Sequence, residues 1–127
     1  MHSVTIKDLM PALPQLTVLH YLISQSDGVF TAHCLDLDLI SVGPDLQSAG
    51  RKLDRLVKAH IELSLATSNI SNLATKAPQS YWKQFLAGTN VDLEPKSIHI
   101  KVPQTVPLVS PESEIGILAR QLFANAA

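Results

Sequence analysis

Residues 16–43 read LTVLHYLISQSDGVFTAHCLDLDLISVG. The run 16–24 is rich in β-branched, aromatic and apolar side chains, interrupted only by Thr17, His20 and Ser24, which is the composition of a strand. Gln25-Ser26-Asp27-Gly28 then places Asp-Gly between two apolar runs, and that dipeptide tolerates the positive φ angles of a tight hairpin. A second strand is expected at about 29–35 and a third at about 39–42, joined by the Asp36-Leu37-Asp38 corner. The stretch therefore predicts an antiparallel three-stranded meander.

The next segment of the chain predicts a helix laid over that sheet. Pro44 cannot extend a strand ladder, Asp45 is a good N-cap, and Leu46, Ala49, Leu53, Leu56, Val57, His60 and Ser64 recur at spacings of three and four up to about Thr67. The outward face carries Arg51, Lys52, Asp54, Arg55, Lys58 and Glu62, with Asp54 and Lys58 spaced to pair. Gly50 costs this helix about 1 kcal/mol relative to alanine, and is read as a point of close approach to the sheet.

After the polar spacer SNISNLATKA, Pro78 opens a short helix over 78–87 with Tyr81, Trp82 and Phe85 at helical spacing and Gly88 as its stop. SIHIKV (97–102) alternates with period two before Pro103 and reads as an edge strand. In the C-terminal extension, 103–127, Ser110 and Pro111 resemble a helix start, Glu112 and Glu114 a first turn, and Ile115, Leu118, Ala119, Leu122 and Phe123 an apolar stripe, with Arg120 towards its end. That predicts a C-terminal amphipathic helix. Residues 1–15, with Pro11 and Pro14, read as a loosely ordered lead-in.

The expected fold class is thus α+β: a small antiparallel sheet of three to four strands in β-β-β-α-β order, covered by one long helix, within a single domain over 1–102 whose core spans 16–67, plus extra C-terminal helices. A chain of 127 residues suits one domain with a real core. Its 46% apolar and 17% charged residues are the balance of a globular protein rather than a disordered one. A formal charge of −1 gives no overall attraction to phosphate backbones or anionic membranes. The basic helix face Arg51, Lys52, Arg55 and Lys58 is diluted by Asp54 and Glu62. One cysteine cannot form an internal disulfide, and MHSVTIKDLM lacks the pattern of a secretory signal, so a cytoplasmic location is expected. No apolar run reaches the ~20 residues of a bilayer span, and no membrane partner is expected.

The polar residues of residues 30–43 invite a chemical reading. Strand alternation puts Phe30, Ala32 and Cys34 on one face and Thr31 and His33 on the other. Cys34 then acts as a small buried hydrophobe under the helix, and its neighbouring histidine points away from it. His20 and His33 fall on the face away from the helix, opposite each other with a four-residue loop or diagonal with a two-residue turn. Zinc needs three or four ligands, and no third appears at a recognisable spacing. Asp36 and Asp38 read as turn residues bonding local amides. Nucleotide-binding glycine motifs, GxSxG, CxxC and HExxH are all absent from the sequence. No catalytic residue, metal or cofactor is expected.

The hairpin around Asp27-Gly28, the run Phe30-Thr31-Ala32-His33-Cys34-Leu35-Asp36-Leu37-Asp38, then Gly43 and Ala49 resemble the HicB-like antitoxin family over about residues 16–67. The resemblance implies a partial RNase H-like fold without nuclease activity, and a partner in a small HicA-like RNA-cleaving toxin that such proteins neutralise. The family's separate DNA-binding domain has no counterpart here: after Lys101 only Arg120 is basic, against Glu112 and Glu114. Nucleic acid is therefore not an expected partner, and a transcriptional regulator or a solitary HicB-like protein is the alternative role. The cap Gly43-Pro44-Asp45, with Gln47 and Ser48 behind it, also departs from the family's acidic pattern. Two apolar segments, Tyr81 to Leu86 and Ile115 to Phe123, exceed what a 50-residue core absorbs, so a homo-oligomer is expected. The candidate partner-binding residues are His20, His33, Ile115, Leu118, Leu122 and Phe123.

Overall fold

Asp27 and Gly28 both take positive φ, 51° and 77°, and close a two-residue turn that pairs Ser26 with Val29. Positive φ at both central residues is the signature of the hairpin turn whose twist matches its strands. The computed structural model describes residues 18–101 and 112–122. Strand β1 (Val18–Ser26) and β2 (Val29–Cys34) flank the turn, and β3 (Leu39–Gly43) returns antiparallel along β2. The corner between β2 and β3 turns at Asp38, which also has positive φ.

Helix α1 (Leu46–Ala66) starts where the sequence indicates, because the Asp45 carboxylate accepts the Ser48 amide at 2.8 Å. Its apolar stripe buries Ala49, Leu53, Val57, Ile61 and Leu65 against Leu19, Tyr21, Ile23, Ala32 and Cys34 of the sheet. At about 1.5–3 kcal/mol for each fully buried large side chain, this interface is the main apolar contribution to the fold. A 3-10 turn (Ile70–Leu73) leads to α2 (Gln79–Ala87), then to β4 (Thr89–Asn90), β5 (Ser97–Lys101) and β6 (Glu112–Gln121).

The sheet is larger than expected and mixed. Its order is β3-β2-β1-β6, with β4 and β5 sharing the outer edge of β6. The three antiparallel strands, the long helix, the short helix and the strand at 97–101 all stand where the sequence places them. The C-terminal amphipathic helix does not: residues 112–121 form a strand, parallel to β1 and antiparallel to β5. Two physical reasons account for this. The stripe read at spacings of three and four also reads at period two, through Ile115, Ile117 and Ala119, and Gly116 with two β-branched isoleucines disfavours a helix. More decisively, β1 has one flank open after pairing β2, and a strand inserted there satisfies a row of backbone groups that a helix would leave unpaired. The expected cap at Ser110 and Pro111 lies outside the described residues, as do residues 1–17.

Between β4 and β5 the chain leaves the edge and returns. Val91 donates to the Ala119 carbonyl and Ile117 to that of Lys96, and between them Leu93 swings into the core. Gln47 clamps this excursion, donating to the Asp92 carbonyl at 2.8 Å and accepting the Glu94 amide at 3.1 Å. A Cβ on Gly50 would come within 2.9 Å of the Leu93 side chain. The close approach expected at Gly50 is therefore to this excursion.

Candidate functional site

Alternation along β1 and β2 puts Leu22, His20 and His33 on the sheet face opposite α1. Helix α2 covers part of this second face. Ala77 donates to the Leu35 carbonyl at 2.8 Å just before α2 begins, and Phe85, Ala77 and the partly buried Trp82 pack with Leu22 and Leu35. Of the segment Tyr81 to Leu86, the sheet's second face buries Phe85 and part of Trp82, while Tyr81 and Leu86 stay exposed.

The two histidines are diagonal neighbours, since Leu22 pairs with His33 and the Leu35 amide reaches the His20 carbonyl. Each is held by one corner aspartate. Asp36, 3% exposed, accepts the His20 backbone amide at 2.6 Å and lies 3.0 Å from ring Nδ1. Asp38 lies 2.7 Å from Nε2 of His33. The two imidazoles meet their carboxylates through different ring nitrogens, His20 through Nδ1 and His33 through Nε2. Aromatic rings complete both environments: Trp82 and Phe85 sit 5.3 and 5.4 Å from the His20 ring, and Tyr81 4.8 Å from that of His33. The Arg120 guanidinium lies over Phe85.

The corner aspartates therefore do not bond local amides, as their turn position suggested, but hold the two histidines. Asp36 reaches sixteen residues back to β1, and Asp38 reaches back into β2. The aromatic spacing of Tyr81, Trp82 and Phe85 was the available signal for a helix with a sheet to cover. Nothing in the spacing of the histidines signalled their carboxylate partners.

The other candidate residues separate. Ile115 is buried in the core under α1, and Leu118 is partly exposed on the second face beside His20. Leu122 is half-buried just past β6, and Phe123 lies outside the described residues. Ile115 is consequently a core residue and is unavailable to a partner.

Cys34 is fully buried beneath α1. Burial and the nearby Asp36 charge push its thiol well above the ordinary range, so the thiolate that a nucleophile needs is disfavoured. Among the described residues no Ser, Thr or Cys side chain hydrogen-bonds either imidazole, and no group of three or more His, Cys, Asp or Glu side chains is placed to hold a metal ion. Of the basic helix face, Lys58 is engaged with the His99 carbonyl and Glu62. A cleft of about 360 Å³ opens between α1 and β5, lined by Asp54, Arg55, Lys58, Pro95, Ile98 and His99. At its inner end the Tyr21 hydroxyl donates to Asp54 at 2.8 Å. No helix among the described residues is long and apolar enough to cross a membrane.

Comparison with family models, curated proteins and solved structures finds no match to this chain.

Proposed function

We propose that this protein is a non-catalytic binding module of the HicB-like kind, which sequesters a small HicA-like RNA-cleaving toxin on the second face of its sheet. The β-β-β-α order with a helix covering one face is the arrangement the resemblance implies. The reading rests on one observation: the chemically versatile side chains are turned inward while apolar ones are left outside. Both imidazoles are held by carboxylates, and the thiol is sealed under α1. Meanwhile Val18, Leu118, Tyr81 and Leu86 stand exposed on the second face or on the helix lying there. Exposed aromatic and aliphatic side chains on a rigid support are the usual anchors of a protein interface.

The test is direct binding. The purified chain is titrated with a HicA-like toxin encoded beside it, by calorimetry and by protection of an RNA substrate. Saturable binding that blocks cleavage, and that falls at least tenfold in Leu118→Glu and Leu86→Glu with the fold intact, is expected. Failure of wild type to bind any such toxin, or binding indifferent to both substitutions, removes the proposal.

A further inference from the structure

One flank of α1 is fastened to the chain between Asp92 and Lys101 at two places. Near the start of the helix, Gln47 bonds the Asp92 carbonyl and the Glu94 amide. Towards its other end, Lys58 donates to the His99 carbonyl and Glu62 accepts the Lys101 amide at 2.8 Å. Between these clamps, at Asp54 and Arg55, helix and strand part, and the cleft of about 360 Å³ opens. Ligand pockets begin at about 300 Å³. Fastened on both sides, this one stands open before any ligand arrives, which lowers the ordering cost of binding.

The outer edge of β5 forms one wall. Ile117 donates to the Lys96 carbonyl, so in this register the pairs Ile98–Ile115 and Ile100–Ser113 exchange hydrogen bonds. Ser97, His99 and Lys101 therefore turn their main-chain groups away from β6. Helix α1 satisfies two of those groups, the His99 carbonyl and the Lys101 amide. The Ser97 N–H, the Ser97 carbonyl and the His99 N–H have no partner among the described residues, and both residues line the cleft.

We propose that this cleft binds the carboxyl-terminal end of an extended peptide whose last residue is apolar, held as a short strand parallel to β5.

The three free groups select both the direction and the chain end. In a parallel ladder the last peptide residue donates its N–H to the Ser97 carbonyl and accepts the His99 N–H, while the residue two before it accepts the Ser97 N–H. All three groups are then satisfied. A longer chain would bring its next N–H to the His99 carbonyl, and the Lys58 ammonium already holds that position. The peptide therefore ends there, with its terminal carboxylate between the His99 amide and Lys58, and with Arg55 on the same wall. Run antiparallel, the peptide would bring an N–H donor against that ammonium instead. Of the lining residues only Asp54 is acidic, and its bond to the Tyr21 hydroxyl keeps it at the inner end, about one helical turn from Lys58.

Alternation sets the preferred side chain. The last residue lies beside Ile98, which is buried towards α1, so its side chain points the same way, against Ile98, Pro95 and the aliphatic stems of Arg55 and Lys58. The residue before it lies beside Ser97 and points to the opposite face, where any side chain is accepted. This site is independent of any toxin and lies apart from Leu118 and Leu86.

The probe is acetyl-alanyl-alanyl-leucine with a free carboxylate, titrated into the isotope-labelled full chain to ~10 mM and followed by amide resonances. Those of Ser97 and His99 are expected to move saturably while those of Leu86 and Leu118 stay. The leucinamide, the analogue methylated on the leucine nitrogen and the peptide ending in aspartate are each expected to bind about tenfold more weakly or worse. Lysine in place of the middle alanine is expected to leave binding within about twofold. Lys58→Met keeps the stem but removes the ammonium, and is expected to cut the preference for acid over amide by about threefold or more. No saturable shift at Ser97 and His99 overturns the proposal, as does equal binding of acid and amide, or of the methylated analogue, by the wild-type chain. Should Lys58→Met loosen the helix, the peptide analogues on the wild-type chain decide.

Discussion

The carboxylate of Asp36 bonds His20 twice, through the backbone amide at 2.6 Å and through ring Nδ1 at 3.0 Å. One buried side chain thereby ties the β2–β3 corner to the middle of β1 and fixes the orientation of an imidazole packed against Trp82 and Phe85. Removing it leaves a main-chain donor in the sheet without its partner. Asp36→Ala is expected to cost about 2 kcal/mol or more, the usual penalty for orphaning buried polar groups. Asp38→Asn keeps an acceptor for Nε2 of buried His33 and tolerates the positive φ at this corner, and should cost about 1 kcal/mol or less. Urea denaturation of the two variants measures the difference; equal losses would mean that the corner is held by something other than Asp36.

Cys34 provides a second check. With the thiol buried under α1 and the thiolate disfavoured, a disulfide reagent at mildly alkaline pH is expected to modify it orders of magnitude more slowly in the native protein than in denaturant. Rapid native modification would place it on an accessible surface.

Gly43 and Gly50 differ in what surrounds them. A Cβ on Gly43 would fall 2.8 Å from the backbone nitrogen of Ala49, which cannot move without displacing the helix. At Gly50 the obstacle is the end of the Leu93 side chain, and alanine also recovers about 1 kcal/mol of helix propensity. Gly43→Ala should therefore lose about 2–3 kcal/mol, while Gly50→Ala should change stability by less than about 1 kcal/mol. Denaturant midpoints for the pair test the ranking.

Two carboxylates at α1 should give opposite pH dependences. The Ser48 amide and hydroxyl hold Asp45 below its ordinary value, so its contribution is present above about pH 4 and is lost as the pH falls through the depressed folded value. Burial raises Asp54 despite the Tyr21 hydroxyl and Arg55, which both act to lower it. Its contribution is fullest below about pH 4 and declines as the pH rises through the raised folded value. Asp54→Asn, whose amide oxygen still accepts from Tyr21, is expected to raise stability at neutral pH and flatten the profile on the side above pH 4. Asp45→Asn should instead reduce the loss on the acid side. Thermal midpoints measured from about pH 2 to 7 separate the two.

The parts of the fold that were legible in the sequence are those fixed by neighbours in the chain. Asp27-Gly28 signals a hairpin, although only the structure chooses the two-residue turn over a four-residue loop, and Asp45 with the Ala49, Leu53 and Val57 spacing signals a capped helix. Residues 112–121 are different. Their apolar spacing suits either period, and the choice is made by the open flank of β1, nearly a hundred residues earlier. The site shows the same division. Facing of His20, His33 and Cys34 follows from alternation alone, whereas the Asp36–His20 and Asp38–His33 pairs depend on how the corner folds back. Leu93 and Gln47 carried no sequence signal, because each acts through a contact with an element distant along the chain.

The parallel β1–β6 pairing has a consequence for biogenesis. The central ladder of the sheet joins residues 18–23 to residues 116–121, so a nascent chain cannot close its sheet until residue 121 has cleared the ribosome. Until then the flank of β1 stays open, and the ordering that joins such distant segments is of the slow, non-local kind. Translation beyond this point, rather than formation of the early hairpin, commits the polypeptide to its native state.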